Sequence, residues 1–450
     1  MTNRFFYDSP ARFALFSFTL LILLGTFLLW LPICRLSNIS FLDLLFTAVS
    51  ATCVTGLLPV SLHEFTYVGK IIIMILMQIG ALGLSTIGLS IIYFLKNPTL
   101  STQAFAAHVL ELDEMSSVKN LLIFIIKTTF FIEFIALILL FPIFYQKYSF
   151  GLSIFLSLFH VVSSFCNAGI SYEYVTQEQH LTEFSTNILF LIITMILMFL
   201  GGLGFITLQE LLLKIKSKIT GKSEILSLHS KIVLFGSCSF LLIFAALFFL
   251  IEQHGAFSLF SFPMKIVQSL FHAISFKSCG FSTVILSRFH STTLLVIMLS
   301  GFIGSAPGST GSGVKIVAFI LYIAMIKSII VGKNVVEIAH RSISFTQVLK
   351  SVAIISLSVV LIGFMLFLLL FSESQESFFN LFFVVTNAMT NLGVALNDVR
   401  SLSCAGKLIL IFCMIIGRIG VLAFITSLRL KYGKSLKKEF SYPEERVMLG

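Results

Sequence analysis

The sequence predicts an all-α polytopic membrane protein in which four tandem repeats, each a span, a pore helix and a span, surround one central pore. Its 450 residues are 57% hydrophobic and 11% charged, and the mean hydropathy is +1.04. Several apolar runs are long enough to cross a bilayer core about 30 Å thick. A short polar run that ends in glycine occurs four times. Each copy follows an apolar stretch that is too short to cross the bilayer. We therefore expect eight transmembrane helices.

The polar run sets the period of the chain. Its copies end at Gly56, Gly169, Gly280 and Gly393, so successive glycines stand 113, 111 and 113 residues apart. Two further motifs keep this period. The first is Phe-x-x-Val or a close relative, which begins at Phe46, Phe159, Phe271 and Phe383. The second is Gly-x-x-Gly in the returning span, formed by Gly80 and Gly83, Gly201 and Gly204, Gly301 and Gly304, and Gly417 and Gly420. Glycine pairs of this kind usually mark close helix packing, and their recurrence supports a fourfold repeat.

Each repeat contains an apolar span, an apolar stretch too short to cross, the polar run and a returning span. The predicted segments are 13–31, 42–52 and Tyr67–Leu95; Leu121–Tyr145, Ile154–Phe165 and Ile188–Leu213; Ile232–Ile251, Ile266–Ser275 and Thr292–Ile330; and Val352–Phe371, Phe378–Ala388 and Leu408–Leu430. The repeats occupy residues 1–97, 98–220, 221–335 and 336–430, and residues 431–450 form a tail. Because each repeat crosses twice, all four share one orientation and can surround an axis.

The net charge of +10 follows the predicted topology. Of the 30 basic residues, 19 lie in the segments 1–12, 96–120, 214–231, 327–350 and 429–450. The positive-inside rule places these segments in the cytoplasm, together with both termini. The charge is therefore expected to contact anionic lipid headgroups rather than nucleic acid.

The seven cysteines form no C-x-x-C pair and no zinc-like cluster with histidine, so no structural metal site is expected. The chain also lacks a catalytic triad and a His/Asp cluster, which disfavours a membrane enzyme. We expect no covalently bound cofactor.

The polar runs have the chemistry of a selectivity filter. Non-helical backbone at membrane depth is tolerated where it is buried in protein or lines a wet cavity. Backbone carbonyls there can replace the hydration shell of a monovalent cation, and glycine lets the backbone turn through positive φ. The candidate filter residues are Cys53, Val54, Thr55 and Gly56; Cys166, Asn167, Ala168 and Gly169; Lys277, Ser278, Cys279 and Gly280; and Thr390, Asn391, Leu392 and Gly393.

A second candidate element interrupts the returning span of the third repeat. Gly304–Gly313 contains four glycines and a proline, a composition that no helix tolerates. It begins about 18 Å into the span at helical rise, below the filter. It is not a nucleotide P-loop, because no lysine directly follows the second glycine. The residues of this predicted interruption are Gly304, Ser305, Pro307, Gly308, Ser309, Thr310, Gly311 and Gly313; a simple packing kink is the alternative.

Arg418 lies between the two glycines of the last Gly-x-x-Gly pair. A cation at such depth costs at least about 2.5–3.5 kcal/mol to insert, which marks a functional site. We expect Arg418 to face the pore, raise a barrier to cations and donate hydrogen bonds to carbonyls of the segment Gly304–Gly313. A buried ion pair with Glu133 or Glu210 is the alternative.

Over nearly its whole length the chain resembles the Trk/Ktr/HKT superfamily of potassium transporters, most closely the ion-conducting KtrB subunits. The resemblance is carried by the four glycine loops, by Ile303–Lys315, by Gly417–Gly420 and by the tail Tyr442–Gly450. It implies a flexible gate at Gly304–Gly313. The chain departs from the family pattern at Cys53, Cys166 and Cys279, where hydroxyl or small residues are commoner, and at Lys277, where arginine is usual.

The resemblance also implies a function and partners. Glycine in all four loops goes with potassium preference, whereas serine in the first loop goes with sodium. The implied activity is potassium uptake across the cell membrane through a selective, gated, channel-like pore. Membrane potential drives the uptake, and the resemblance allows a dependence on sodium. A homodimer through the tail and a cytosolic ring of nucleotide-binding RCK subunits are the implied partners. The alternative is a sodium-selective or sodium-coupled transporter of the same superfamily, since parallel repeats disfavour an unrelated coupled carrier.

Overall fold

The computed structural model describes residues 10–83, 118–171, 181–221, 225–333 and 335–428. Helices account for most of these residues. The ends of two predicted segments, Leu95 and Leu430, and the tail Tyr442–Gly450 lie outside the described residues.

The first half of the described chain contains seven α-helices. They are α1 (Pro10–Trp30), α2 (Phe41–Cys53), α3 (Tyr67–Leu82), α4 (Val118–Tyr145), α5 (Phe150–Cys166), α6 (Ile188–Gly202) and α7 (Phe205–Thr220). The short 3-10 helices in this half are Pro32–Cys34, Leu62–Glu64 and Thr182–Phe184.

The second half contains eight α-helices and one hairpin. The helices are α8 (Leu228–Glu252), α9 (Phe262–Ser278), α10 (Ser291–Phe302), α11 (Ile316–Val331), α12 (Phe345–Ser372), α13 (Phe378–Thr390), α14 (Cys404–Ile419) and α15 (Val421–Leu428). Strands β1 (Glu337–Ile338) and β2 (Arg341–Ser342) pair antiparallel between α11 and α12. The 3-10 helices in this half are Leu286–Arg288 and Val399–Ser401.

The four short helices α2, α5, α9 and α13 form the centre of the bundle. Each carries the phenylalanine of its Phe-x-x-Val motif, and all four rings are fully buried: Phe46, Phe159, Phe271 and Phe383. Serine side chains cap two of these helices at their start, because Ser40 accepts from the Asp43 backbone N–H and Ser377 from that of Asn380.

The same helices end in a left-handed residue in three of the four cases. Val54, Asn167 and Asn391 have φ of 57°, 59° and 56°, whereas Cys279 in the third copy stays right-handed at −107°. This difference matches the sequence, in which the third copy is one residue shorter.

By length and composition, three described helices can cross a membrane by themselves: α4, α8 and α12. Two bent pairs pass the same test together, α6 with α7 at 109° and α14 with the start of α15 at 100°. Shorter apolar helices make up the rest of the bundle.

These bends correct the sequence analysis. Ile188–Leu213 and Leu408–Leu430 were each predicted as one continuous span, but the chain turns at Gly204 and Gly420. Both glycines have positive φ, 82° and 91°, a conformation that stops a helix and that residues with a Cβ rarely adopt. The second glycine of a Gly-x-x-Gly pair therefore ends a helix here, a role that packing alone does not describe.

Ion pairs connect the last quarter of the chain to the first. The Lys407 ammonium on α14 lies 2.8 Å from the Asp43 carboxylate on α2, and both side chains are largely buried. Arg400 forms a second pair with Glu64. Together they bring the end of the described chain back against its beginning and close the bundle.

Candidate ion pathway

The four glycine loops lie against one another in chain order and form a closed ring. A Cβ added to Gly56 would overlap with the carbonyl oxygen of Ala168, and one on Gly169 with that of Cys279. The series continues from Gly280 to the carbonyl of Leu392 and from Gly393 back to the carbonyl of Thr55. Each glycine thus faces the carbonyl of the residue before the next glycine. We call this arrangement the filter ring.

Two constraints require glycine in the filter ring. The φ angles of Gly56, Gly169, Gly280 and Gly393 are 102°, 67°, 88° and 76°, all in the left-handed region. In addition, the neighbouring carbonyl occupies the space of any side chain. Only glycine satisfies both conditions without a shift of the backbone.

One backbone hydrogen bond recurs in all four loops and holds the ring to its helices. The Thr55 N–H donates to the Ser50 carbonyl and the Ala168 N–H to the Ser163 carbonyl, each at 2.8 Å. In the other two copies Gly280 donates to Ser275 at 2.9 Å and Leu392 to Asn387 at 2.8 Å. The helix ends therefore fix each loop in the same way, with their negative dipole ends toward the ring, a field that favours cations.

The structure places the sixteen predicted filter residues in three settings. Cys53, Cys166, Ser278 and Thr390 are the last residues of the short helices, one step outside the loops. The loops proper contain Val54–Gly56, Asn167–Gly169, Cys279–Gly280 and Asn391–Gly393. Lys277 belongs to neither group.

The side chain of Lys277 binds a neighbouring helix, whereas its predicted role in the filter concerns its backbone carbonyl and stays a prediction. It lies in the last turn of α9, and its ammonium donates to the Ser237 hydroxyl of α8 at 3.0 Å. The same ammonium stands 5.4 Å from the centre of the Phe240 ring. Buried aromatic and hydroxyl groups behind the helix thus satisfy this cation, as expected for a desolvated lysine.

Asn167 and Asn391 support the ring from below with their side chains. The Asn391 amide donates to the carbonyls of Cys53 at 2.9 Å and Met414 at 3.2 Å. The Asn167 amide donates to the Thr310 hydroxyl at 3.0 Å, and its oxygen accepts from the Ser278 hydroxyl at 3.1 Å. Both asparagines stand two residues before a filter glycine, so they occupy equivalent positions in the second and fourth loops. The sequence did not indicate their hydrogen-bond partners.

The segment Ile303–Lys315, here called the gate loop, separates α10 from α11 and confirms that the returning helix is interrupted there. It folds back on itself, since Ser305 donates to the Ser312 carbonyl at 3.1 Å and Val314 to that of Phe302 at 3.1 Å. Gly304 and Ser305 lie at its buried start, Pro307, Gly308 and Ser309 at its outer turn, and Thr310, Gly311 and Gly313 on the returning side.

The gate loop is anchored on both the filter ring and the end of α6. The Thr310 hydroxyl donates to the Phe165 carbonyl at 2.9 Å, and its backbone N–H donates to the Gly201 carbonyl at 3.1 Å. The Ala306 N–H donates to the Gly202 carbonyl at 3.1 Å. Thr310 is therefore the direct link between the gate loop and the second filter copy.

The Arg418 guanidinium bridges the gate loop and the first repeat. One of its terminal nitrogens donates to the Thr310 carbonyl at 2.6 Å and to the Ser312 hydroxyl at 3.1 Å. The other donates to the carbonyls of Gly80 at 2.6 Å and Ala81 at 3.0 Å. The expected bond to a gate-loop carbonyl is thus present, and the side chain spans the level directly below the filter ring.

The alternative partners proposed for Arg418 are engaged elsewhere. Glu133 accepts from Gln78 at 2.8 Å, and Glu210 accepts from the Ser227 backbone N–H at 2.9 Å. In the part of the chain that the structure describes, Arg418 forms no carboxylate pair. Its charge is held by backbone carbonyls and one hydroxyl.

The carbonyl of Gly80 as a partner of Arg418, and that of Gly201 as a partner of Thr310, were not predicted from the sequence. Both are first glycines of their Gly-x-x-Gly pairs, and a Cβ at either would overlap with a carbonyl at the end of α2 or α5. The close packing expected of these pairs is therefore present at the first glycine. The one sequence feature that indicated these contacts is the position of the Gly-x-x-Gly pairs. They recur at the same place in each repeat and therefore lie at one common depth, about one helical turn below the filter ring.

A helical bundle with apolar helices of membrane length, built round a ring of backbone carbonyls, defines a multi-pass membrane protein of ion transport. A family model described as TrkH, a cation transport protein, matches residues 17–438. The chain belongs to this TrkH family of cation transport proteins, which confirms a transporter and excludes the membrane-enzyme hypothesis.

Characterised relatives match across almost the entire chain. The potassium/sodium uptake protein NtpJ of Enterococcus hirae is 30% identical over 98% of this chain and 97% of its own length. The Ktr system potassium uptake protein B of Bacillus subtilis is 30% identical over the same shares, and that of Vibrio alginolyticus 31% identical over 98% and 94%.

A solved structure shares the fold. The crystal structure of the potassium transporter TrkH from Vibrio parahaemolyticus superimposes with a TM-score of 0.70 at 19% identity, over 92% of this chain and 83% of that one. At this identity the likeness establishes the fold alone.

Proposed function

We propose that the protein takes up potassium through a selective, channel-like pore across the cell membrane, driven by membrane potential. The observation that carries the proposal is the filter ring, in which four glycines each face the carbonyl of the next loop. Such carbonyls can replace the hydration shell of a monovalent cation. Relatives named as potassium uptake proteins, similar over 98% of the chain, support the choice of ion.

The architecture proposed for this pore is four span–pore helix–span repeats with eight membrane crossings. The proposed repeats end at residues 97, 220, 335 and 430, of which 97 and 430 lie outside the described residues. The basic segments 214–231 and 327–350 then lie in the cytoplasm, with both termini on the same side. In this arrangement α7, whose lysines Lys214, Lys216 and Lys218 follow the bend at Gly204, runs along the inner membrane surface.

The gate loop and Arg418 are proposed to close the pathway below the filter ring. Arg418 binds the carbonyls of Thr310 and Gly80 and so joins opposite walls at this level. A fixed positive charge in a narrow, low-dielectric passage raises the energy of an approaching cation. Opening then requires the loop to move and the guanidinium to lose its carbonyl partners.

Regulation is proposed to come from a separate cytosolic subunit that binds nucleotide and docks on the basic cytoplasmic segments. Two relatives are named as parts of Ktr systems, which supports a second component. A homodimer through the tail is proposed on the family resemblance of Tyr442–Gly450, which lies outside the described residues.

Sodium transport is the second candidate, and the name of the Enterococcus hirae relative supports it. The test is rubidium and sodium flux into liposomes that contain the purified protein. The membrane potential is set by ion gradients without valinomycin, because that ionophore itself carries potassium and rubidium. Potassium selectivity predicts that rubidium uptake exceeds sodium uptake and that Gly56→Ser collapses the preference. Equal uptake of both ions, or no change in Gly56→Ser, would favour the sodium hypothesis.

A further inference from the structure

A crevice on the side of the bundle lies apart from the ion pathway. It has a volume of about 730 Å³ and is bounded by α3, α4 and α5. Three phenylalanine rings of α4, more than half exposed, form its outer wall: Phe130, Phe131 and Phe134. The other lining residues are Met74, Ile75, Ile79, Leu137, Leu158 and Val162, together with two polar residues, Gln78 and Glu133.

Glu133 is the acidic group of this crevice, and one of its two carboxylate oxygens accepts a hydrogen bond. Its side chain is 5% exposed, and Oε1 accepts from the Gln78 amide at 2.8 Å. Among the described residues nothing donates to Oε2. A carboxylate accepts about four hydrogen bonds when its oxygens are fully paired, so this one retains capacity for a donor that enters the crevice.

The depth of Glu133 restricts what that donor can be. It is the sixteenth residue of the 28-residue helix α4, roughly 22 Å from the helix start at 1.5 Å per residue and close to the middle of a membrane-length helix. Phospholipid headgroups lie at the surface of a hydrocarbon core about 30 Å thick and do not reach this level. The donor must therefore enter with an apolar body.

We propose that the crevice between α3, α4 and α5 is a binding site for a small hydrophobic amine, held by its protonated nitrogen on Glu133. Its volume falls in the range of about 300–1,000 Å³ that is usual for small-molecule sites. An ammonium on a carboxylate forms a charge-assisted hydrogen bond, about twice as strong as a neutral one. The phenylalanine rings supply apolar contact and cation–π attraction.

A hydrogen-bonded chain joins this site to the filter ring. The Gln78 amide that donates to Glu133 also accepts, through its oxygen, from the Cys166 thiol at 3.2 Å. Cys166 is the last residue of α5 and directly precedes Asn167 of the second filter loop. An amine on Oε2 shares the Glu133 carboxylate with Gln78 on Oε1, so the ligand is two hydrogen bonds away from Cys166 at the filter.

The test is equilibrium dialysis of radiolabelled aminoadamantane against the full-length protein purified in detergent. We expect saturable binding of one molecule per chain, at least tenfold weaker in Glu133→Gln and unchanged in Glu210→Gln, a carboxylate of α7 outside the crevice. Uncharged adamantanol should compete at least tenfold less well than the amine. Non-saturable binding, or equal affinity in Glu133→Gln, would overturn the proposal.

A second variant separates loss of the site from loss of the fold. Leu137→Trp keeps Glu133 but fills the crevice, and it should abolish binding while the size-exclusion profile stays that of the wild type. Binding that survives in Leu137→Trp would overturn the assignment of the site. The assay measures no transport, so it can fail while the proposed uptake function stands.

Two other occupants are outcomes of the same preparation. One is a phospholipid that mass spectrometry finds retained equally by wild type and Glu133→Gln, while neither protein binds the aminoadamantane. That result would show that acyl chains fill the crevice. Probe binding by monomers but not by dimers would show that a second copy covers it. Either result would contradict the proposal.

Discussion

The filter ring and the level one helical turn below it are built from the same repeat, yet they differ in symmetry. In the ring, every glycine has positive φ and faces the next carbonyl, and each loop is held to its helix by an equivalent backbone hydrogen bond. Below it, α3 ends at Gly83, α6 and α14 bend at Gly204 and Gly420, and the third repeat opens into the gate loop. Arg418 stands on the fourth repeat at this level.

The contrast suggests a division of roles. A monovalent cation needs several equivalent carbonyls around it, so all four repeats must agree in the ring. A barrier needs one charge and one movable segment, so the repeats are free to diverge below it. The predictions that follow test whether selection and gating separate along this line.

The largest expected effect comes from a single methyl group in the ring. Gly393→Ala places a Cβ on the Thr55 carbonyl at a φ of 76°, and we expect rubidium uptake to fall at least 100-fold. Gly363→Ala, at a helical glycine with open space around it, is the matched control and should transport normally. Uptake by Gly393→Ala within threefold of wild type would contradict the close approach of the loops.

Removal of the charge below the ring should act in the opposite direction. Arg418→Ala deletes four hydrogen bonds to carbonyls and a hydroxyl, and we expect the initial rate of rubidium uptake to rise about tenfold, equivalent to about 1.4 kcal/mol. Arg418→Lys keeps the charge but lacks the planar guanidinium, so its uptake rate should lie between those of wild type and Arg418→Ala. A rate at or below wild type, at equal protein in the liposomes, would contradict a barrier role.

A smaller effect is expected at the link between the two levels. Thr310→Val keeps the shape but removes the hydroxyl that donates to Phe165 and accepts from Asn167. We expect a two- to fivefold faster uptake, equivalent to about 0.4–1 kcal/mol, because only part of the roughly 1 kcal/mol of each hydrogen bond favours the closed loop over the open one, and a measurable drop in potassium preference. Thr310→Ser, which retains the hydroxyl, should restore both values; a Ser variant as altered as Val would argue for packing instead.

The smallest effect concerns closure of the bundle. Lys407→Met removes one partner of the largely buried pair with Asp43, and we expect a loss of roughly 1–3 kcal/mol of stability, reduced from the value for a fully buried pair by the remaining exposure. Lys147→Met breaks an exposed pair with Glu183 and should cost less than about 1 kcal/mol. Thermal unfolding in detergent compares the two, and equal midpoints would show that the Lys407 pair does not hold the ends of the bundle together.

The repeat made most of this structure predictable from the sequence. The period of the glycines, with the buried Phe46 and its three counterparts, located the short helices and their loops to within a few residues. The gate loop was predictable because its glycines and proline are incompatible with any helix.

What escaped prediction has a physical reason. A Gly-x-x-Gly pair looks the same in sequence whether its second glycine packs inside a helix or ends it at positive φ, so the bends at Gly204 and Gly420 were missed. Lys277 adjoins the third filter loop in sequence, but the contact of its side chain with Ser237 on a neighbouring helix could not be predicted from that position. Contacts between distant repeats, such as Arg418 with Gly80, leave no local trace in the sequence.

The most direct test of the division of roles is to measure selectivity and rate in two variants side by side. Reversal potentials and initial rubidium rates are recorded from liposomes that contain Gly56→Ser or Arg418→Ala. We predict that Gly56→Ser still conducts but loses potassium preference, since its Cβ would overlap with the Ala168 carbonyl oxygen less closely than a Cβ at Gly393 would with that of Thr55, whereas Arg418→Ala becomes faster with its preference intact. Loss of preference in Arg418→Ala, or intact preference in Gly56→Ser, would contradict the separation of a selecting ring from a gating level.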